Sequence, residues 1–205
     1  MRIAISGSHS LGKSTVVRDW LHSNPDYLWE DEPYRVLSFN GPYEIAFQDK
    51  STRLHNGLQL FYSISRLHRY DSSECNVIFD RCPIDYLAYS QYTAFQATTD
   101  IDKEFVLTMV DAVRESLDHL DILAFIPISE QWPVPMEDDG IRPPDLEYRN
   151  SVDMIFKQIY RDGLFDLLPA FEKLKLIELV GDSELRLKQI QLAIESISAS
   201  RFAGS

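Results

Sequence analysis

The chain has 205 residues, 44% of them apolar and 12% aromatic, a composition that excludes the low-hydrophobicity, high-charge regime of disordered chains and makes one compact domain the default. Its 32 acidic against 20 basic residues give a formal charge of -12, so the surface repels polyanions and the expected partners include neither nucleic acid nor an acidic membrane leaflet. Cys75 and Cys82 are too few and too close for a disulfide framework, and no Cys/His spacing suggests zinc. No run of 18 apolar residues and no signal-like start are present, so a soluble, cytoplasmic protein with reduced thiols is expected.

Arg2 to Ser6 reads as a short buried strand, followed by a glycine-containing turn and a helix from Lys13 to Leu21 that spaces Val16, Val17, Trp20 and Leu21 at helical intervals. After the turn signal Asn24-Pro25-Asp26, a second strand over Tyr27 to Asp31 stops at Glu32-Pro33, because proline removes a ladder donor. Asn40-Gly41-Pro42 breaks the chain again. Two helices are expected between Tyr43 and about Tyr70, the second long, with Leu58, Phe61, Tyr62, Ser65 and His68 on its clearest face.

Val77-Ile78-Phe79-Asp80 has the pattern of a central strand buried on both faces and is expected beside the first strand. Pro83 suits the first turn of a helix running to about Ala94, and Asp102 to Leu117 is a further helix with Phe105, Met109, Val113 and Leu117 inward. Asp121 to Ile128 reads as the fourth strand and Leu174 to Val180 as the fifth. Between them lie a proline-rich loop over Ser129 to Pro144, with Glu137-Asp138-Asp139, and a helix from Leu146 to Tyr160. A last helix covers Glu184 to Ile197. Strands separated by helices, without a hairpin signal, imply a parallel sheet with helices on both faces and its ligand edge at the strand C-termini.

The loop Gly7-Ser8-His9-Ser10-Leu11-Gly12-Lys13-Ser14, placed between a strand and a helix, has the Gly-x4-Gly-Lys-Ser spacing that turns successive backbone N–H groups inward around phosphates. With Thr15 it forms the candidate nucleotide-binding segment. Lys13 is expected to reach the outer phosphates of ATP and Ser14 to ligate Mg2+. His9 is assigned no chemical role. Asp80, at the end of the third strand, is the second candidate magnesium ligand. The residue after it is Arg81, a cation for a phosphate where a motor-type hydrolase would carry a water-polarising Glu, which argues for transfer over hydrolysis; a strand-end ion pair is the plainer reading. No Asn-Lys-x-Asp segment for reading guanine occurs.

These residues, together with Glu32-Pro33 and an arginine-bearing loop after the fourth strand, resemble the P-loop nucleoside and nucleotide kinases over nearly the whole chain. Asp80 to Tyr89 resembles the segment after the third strand of thymidylate kinases, and Glu32-Pro33-Tyr34 the acid motif of deoxynucleoside kinases. Glu32-x-x-Arg35 with Asp138-Asp139-Gly140-x-Arg142 resembles the ribosylnicotinamide kinase domain of bacterial NAD-biosynthesis regulators and the AAA-type ATPase-like proteins grouped with it. The resemblance implies an α/β, three-layer P-loop NTPase fold with a five-stranded parallel sheet, helices on both faces and a lid. The domain would span residues 1–198, with the lid at about 129–150 and a frayed tail at 199–205.

The same resemblance implies that Glu32 is the general base taking the proton of an attacking hydroxyl, with a capping role in the acidic run Glu30-Asp31-Glu32 as the alternative. Arg35 would bind acceptor oxygens or pair with Glu32, and Gln59 would read an acceptor base or face solvent. Arg142 and Arg149 flank the lid, where a guanidinium can neutralise charge on the transferred group, unless they are solvated or paired with neighbours such as Asp138. Of the aromatics Tyr34, Phe39, Tyr43, Phe47, Phe61 and Tyr62, most are expected in the core. The expected activity is ATP-dependent phosphoryl transfer, assisted by Lys13, Glu32, Arg81 and Arg142, to a hydroxyl of a nucleoside or a ribosylnicotinamide-like acceptor. A regulatory ATP-binding protein or slow ATPase, and a nucleoside monophosphate kinase, are the other readings.

Overall fold

The computed structural model describes residues 1–39, 41–71, 74–136, 144–169 and 173–203. In chain order it contains β1 (Arg2–Ser6), α1 (Lys13–Ser23), β2 (Leu28–Glu30), α2 (Arg53–Arg69), β3 (Val77–Asp80) and α3 (Pro83–Gln96). Then come α4 (Lys103–Ser116), β4 (Ile122–Phe125), α5 (Leu146–Asp162), β5 (Lys175–Glu178) and α6 (Ser183–Ala203).

The strands form one parallel sheet in the order β2-β3-β1-β4-β5. The central strand β1 alternates its side chains between two cores, as a pleated strand must. Ile3 and Ile5 pack with α1 residues Val16, Val17 and Trp20 and with Ile190 of α6. Ala4 faces the other side, among Leu60, Leu87, Val106 and Phe156 from α2, α3, α4 and α5. The register sets Ile5 opposite Asp80 and Ser6 opposite Phe125. The turn after Ser6 therefore leaves the sheet between the C-terminal ends of β3 and β4, at the point where strand order reverses.

Local chemistry starts the helices where the chain needs them. Thr52 and His55 form a reciprocal capping box on α2. Asp102 and Asp145 accept the Phe105 and Tyr148 N–H groups at the starts of α4 and α5, at 2.8 and 2.9 Å. Pro83 occupies the first turn of α3, where its missing donor costs nothing.

Several expectations need correction. Between Tyr43 and Arg53 only a 3-10 turn at Gln48–Lys50 forms instead of a helix, and a five-residue π-helix at Arg35–Phe39 was not anticipated. The buried face of α2 is Asn56, Gln59, Leu60, Ser63 and Leu67, while Phe61, Ser65 and His68 are exposed. The helix is rotated from the expected face: Leu60, Ile64 and Leu67 pack into the core, and on the same side Asn56 donates to Ser90 of α3 at 2.9 Å and Gln59 lines a cavity. β4 ends at Phe125 rather than Ile128, and Pro127 just beyond it has no N–H to offer the ladder. α6 continues to Ala203, so the helix covers 199–203 of the expected frayed tail. None of the six aromatics joins the core: Phe39, Tyr43 and Phe61 are exposed and Tyr34, Phe47 and Tyr62 half-buried.

Candidate functional site

The loop from Gly7 to Ser14 requires its glycines. Gly7 has φ +139°, and a Cβ there would lie 2.6 Å from the Ile126 carbonyl oxygen. Gly12 has φ +79° and forms the N-cap of α1, its carbonyl accepting the Val16 N–H at 3.0 Å. Beneath the loop, Asp85 of α3 is fully buried. Its Oδ1 accepts the Gly7 N–H at 3.1 Å and the Ser6 hydroxyl at 3.0 Å, and its Oδ2 accepts the Cys82 N–H at 2.6 Å. Burial raises the pKa of this carboxyl, against the pull of Arg81 and Lys13. Above, the Ser8 hydroxyl donates to the Arg149 carbonyl at 2.8 Å.

Lys13 is 4% exposed and its ammonium donates to the Gly7 carbonyl at 2.8 Å and to the Ser8 carbonyl. It thus lies over the loop's own concavity. Burial and then Arg81 pull its pKa well below the ordinary lysine range, opposed by Asp85, Asp80 and Glu32. Ser10, Leu11 and Thr15 complete the segment, with Leu11 buried and Ser10 at φ +54°. His9 is buried and its ring lies 5.1 Å from that of Tyr148.

Ser14 and Asp80 do meet, the Ser14 hydroxyl donating to Asp80 Oδ2 at 2.6 Å. Asp80 Oδ1 is buried without a hydrogen-bond partner, and burial raises the carboxyl pKa despite Arg81 nearby. A hydroxyl beside a carboxylate that has an unsatisfied oxygen is a donor set of the kind magnesium takes, so the residues fit the ion. Arg35 borders this pair, with Nη2 3.4 Å from Ser14 Oγ and Nη1 3.8 Å from Asp80 Oδ2.

The acidic run at the end of β2 resolves into three main ion pairs. Glu30 meets Arg66 of α2, Asp31 meets Arg35 at 3.0 Å, and Glu32 meets Arg81 at 2.9 Å. Glu32 and Arg81 are both 5% exposed, and Arg81 also reaches the Gly7 carbonyl at 3.4 Å and the Tyr89 hydroxyl at 3.2 Å. Burial disfavours the Arg81 cation, but Glu32, Tyr89 and the neighbouring aspartates outweigh it and raise its pKa. Of the two readings of Arg81, a cation for a phosphate or half of an ion pair, the second describes its contact here, with Glu32. Arg35, by contrast, stands 4.0 Å from Glu32 and is held more closely by Asp31.

Glu32 lines a narrow, partly open cavity of about 30 Å³, together with His9 of the phosphate loop and Gln59, Asn56, Tyr89, Tyr148 and Phe47. Gln59 is 4% exposed and donates to the His55 carbonyl at 3.2 Å, so it faces this cavity and not solvent. On the other flank of the loop an open cleft is lined by Gly12, Thr15, Trp132, Gly181, Ser183 and Arg186. Arg149 is buried, and its guanidinium donates to the Val134 carbonyl at 2.8 Å and lies 3.9 Å from Met136 Sδ. Its guanidinium thus fastens the segment after β4, while its backbone carbonyl meets Ser8 of the phosphate loop. Arg142, Asp138 and Asp139 lie outside the described residues.

Comparison with known proteins places this arrangement. The AAA domain family matches residues 2–170, most of the chain and every strand but the last. The chain belongs to the AAA domain family. No curated protein matches it in sequence. Among solved structures, this AAA domain resembles deoxyadenosine kinase from M. mycoides with products dCMP and a flexible dCDP bound, at TM-score 0.63 and 17% identity, over 96% of this chain and 100% of that one. It also resembles NadR in complex with NR, at TM-score 0.60 and 18% identity, and NadR in complex with NAD and AMP-PNP, at TM-score 0.60 and 16% identity. It covers 51% and 49% of those two chains, about half their length, while 97% of this chain is matched. The fold is therefore that of the P-loop nucleoside kinases.

Within this AAA domain, sequence reading missed Asp85, Tyr89, Asn56, Trp132 and Arg186. Asp85 had a usable signal, since an acid three residues after Cys82 can accept its N–H at the start of a helix. The others lie on elements far apart in sequence and carry no local signature. No helix among the described residues is long and apolar enough to cross a membrane.

Proposed function

We propose that this AAA domain transfers the terminal phosphoryl group of ATP to a hydroxyl of a small molecule, a nucleoside or a ribosylnicotinamide-like acceptor. One observation carries the reading: the buried Glu32 carboxylate lines a narrow cavity beside the phosphate loop while its partner Arg81 touches Gly7 of that loop, at 3.4 Å. An acceptor that widens this cavity on binding has its hydroxyl beside Glu32 and close to the loop. Glu32 takes the hydroxyl proton as the acceptor oxygen bonds to the γ-phosphorus and the bond to the ADP oxygen breaks. Gln59 supplies a paired donor and acceptor for a planar base or amide. The cavity keeps bulk water from competing with the acceptor, which favours transfer over hydrolysis.

ATP enters from the other flank, with its base in the cleft of Trp132, Thr15 and Gly181–Ser183 and its phosphates in the loop, where Lys13 leaves the Gly7 and Ser8 carbonyls to meet them. Ser14 and Asp80 would hold magnesium, which would supply neutralisation of the phosphate charge. Arg35 is placed to bind acceptor oxygens near Glu32. Arg142 and the surrounding 129–150 segment serve as the lid, and Arg149 acts on that lid by holding Val134. The single domain and the absence of nucleic-acid or membrane partners stand as part of the same proposal.

Incubation with magnesium and γ-labelled ATP across nucleosides, ribosylnicotinamide and nucleoside monophosphates tests it. Label on the hydroxyl of a nucleoside or ribosylnicotinamide is the expected result. Slow phosphate release without any labelled acceptor would replace the proposal with a regulatory ATP-binding role, and label on monophosphates alone would make it a monophosphate kinase.

A further inference from the structure

The strongest unexplained group outside the proposed catalytic set is Arg186 of α6. It is 7% exposed, and its Nη1 donates to the Leu11 carbonyl at 2.8 Å, across 175 residues of sequence. Its Nε is buried without a hydrogen-bond partner. Among the described residues no carboxylate forms an ion pair with it; burial pulls its pKa down, with Asp182 opposing. A nearly buried cation holding one carbonyl is costly unless an anion or its own structural yield compensates it.

The surrounding geometry shows what that yield is. Gly181, at φ +92°, turns the chain out of β5. Asp182 then starts α6 by accepting the Leu185 N–H on Oδ1 at 2.9 Å and the Arg186 N–H on its backbone carbonyl at 3.1 Å. The Ser183 hydroxyl donates to Asp19 of α1, so the start of α6 is tied to the helix that the phosphate loop opens. From there Arg186 reaches the loop so closely that a Cβ on Gly12 would lie 3.3 Å from Nη1. Across a planar trans peptide the C=O and the following N–H point in opposite directions. Holding the Leu11 carbonyl towards Arg186 therefore directs the Gly12 N–H away from it, and fixes the turn from which the Lys13 and Ser14 N–H groups follow.

We infer that Arg186 is a positioning residue of the phosphate loop: it sets the Leu11–Gly12 peptide so that the loop amides converge on a polyphosphate, whose charge balances the buried guanidinium. This rests on the reading of Gly7–Ser14 as a triphosphate site. It assigns a nucleotide-binding task to an element beyond the residues that the AAA domain family matches.

The test compares the wild type with Arg186→Leu and Arg186→Lys by calorimetric titration with magnesium–ATP and with magnesium tripolyphosphate, and by amide hydrogen exchange of the ligand-free proteins. Loss of a charge-assisted hydrogen bond to a buried carbonyl predicts that Arg186→Leu binds both ligands roughly tenfold more weakly. Its Gly12, Lys13 and Ser14 amides should exchange about tenfold faster while those of β1 and β3 do not change. Arg186→Lys, which keeps a charged donor, should recover part of both losses. Unchanged binding and exchange in Arg186→Leu overturns the inference. So does faster exchange across the whole sheet with no recovery in Arg186→Lys, because that marks a fold-wide packing role. A wild type that binds neither ligand defeats the triphosphate reading itself and with it the balancing of Arg186 by phosphate; unchanged loop exchange in Arg186→Leu then defeats the positioning role separately.

Discussion

The two flanks of the phosphate loop are built by different means. On the flank of Trp132 and Thr15, backbone does most of the work: Gly7, Gly12 and Gly181 take positive φ, and turns are held by main-chain carbonyls and N–H groups. On the flank of Glu32, the cavity is a set of side chains from the end of β2, the chain before α2, and α2, α3 and α5, with ion pairs and hydroxyls setting their positions. A backbone-built surface can serve any ligand with phosphates, because N–H groups are the same in every residue. A side-chain-built cavity discriminates, because most of its members can be exchanged without disturbing the phosphate loop, His9 being the one that the loop itself contributes. Under the proposed function, phosphate holding and acceptor choice therefore rest on largely different parts of the molecule, joined at His9.

Glu32→Gln tests that separation most severely. It should lower phosphoryl transfer by roughly 10²- to 10⁴-fold, the usual weight of a general base, while magnesium–ATP affinity is kept. Arg81 loses its buried counter-charge in this variant, a change of the kind that costs about 3–5 kcal/mol, so rates are to be expressed per folded molecule, counted by circular dichroism. Retained transfer would move the base elsewhere, and a parallel loss of ATP binding would show the two flanks to be one unit.

Lys13→Ala should act on the shared loop. Triphosphate affinity, read by calorimetry, should fall about 10- to 100-fold through loss of charge-assisted contacts, with nucleoside affinity unchanged. A comparable loss of nucleoside affinity would break the comparison from the other side. Gln59→Leu is the smallest of the three: removing one paired donor and acceptor should raise the acceptor KM by about tenfold and leave the ATP KM alone. An effect confined to ATP would place the acceptor outside the Glu32 cavity.

Legibility followed the same division. Gly7, Gly12, Lys13 and Ser14 stand within eight residues, so their spacing revealed the loop, and the order of strand and helix around it revealed the parallel sheet. Asp80 was legible because a short apolar run ended in an acid. Glu30, Asp31 and Glu32 were not separable in sequence, since Glu30 and Glu32 meet arginines that α2 and the end of β3 bring beside β2, and only Asp31 meets a sequence neighbour. Gln59 was ambiguous for a related reason: the buried face of α2 combines the apolar Leu60 and Leu67 with the polar Asn56, Gln59 and Ser63, and only packing shows that the polar ones point inward.

By itself the sequence determined the phosphate loop, the alternation of strands and helices and the place of Asp80 beside that loop, because each is written in neighbouring residues and in the short periods of strand and helix. Only the tertiary structure decided that Arg81 belongs to Glu32, that Gln59 faces inward, that Arg149 holds the segment after β4, and that Arg186 reaches Leu11. Those contacts join residues tens to hundreds of positions apart, and their partners are selected by packing and by the cost of leaving a buried charge unpaired.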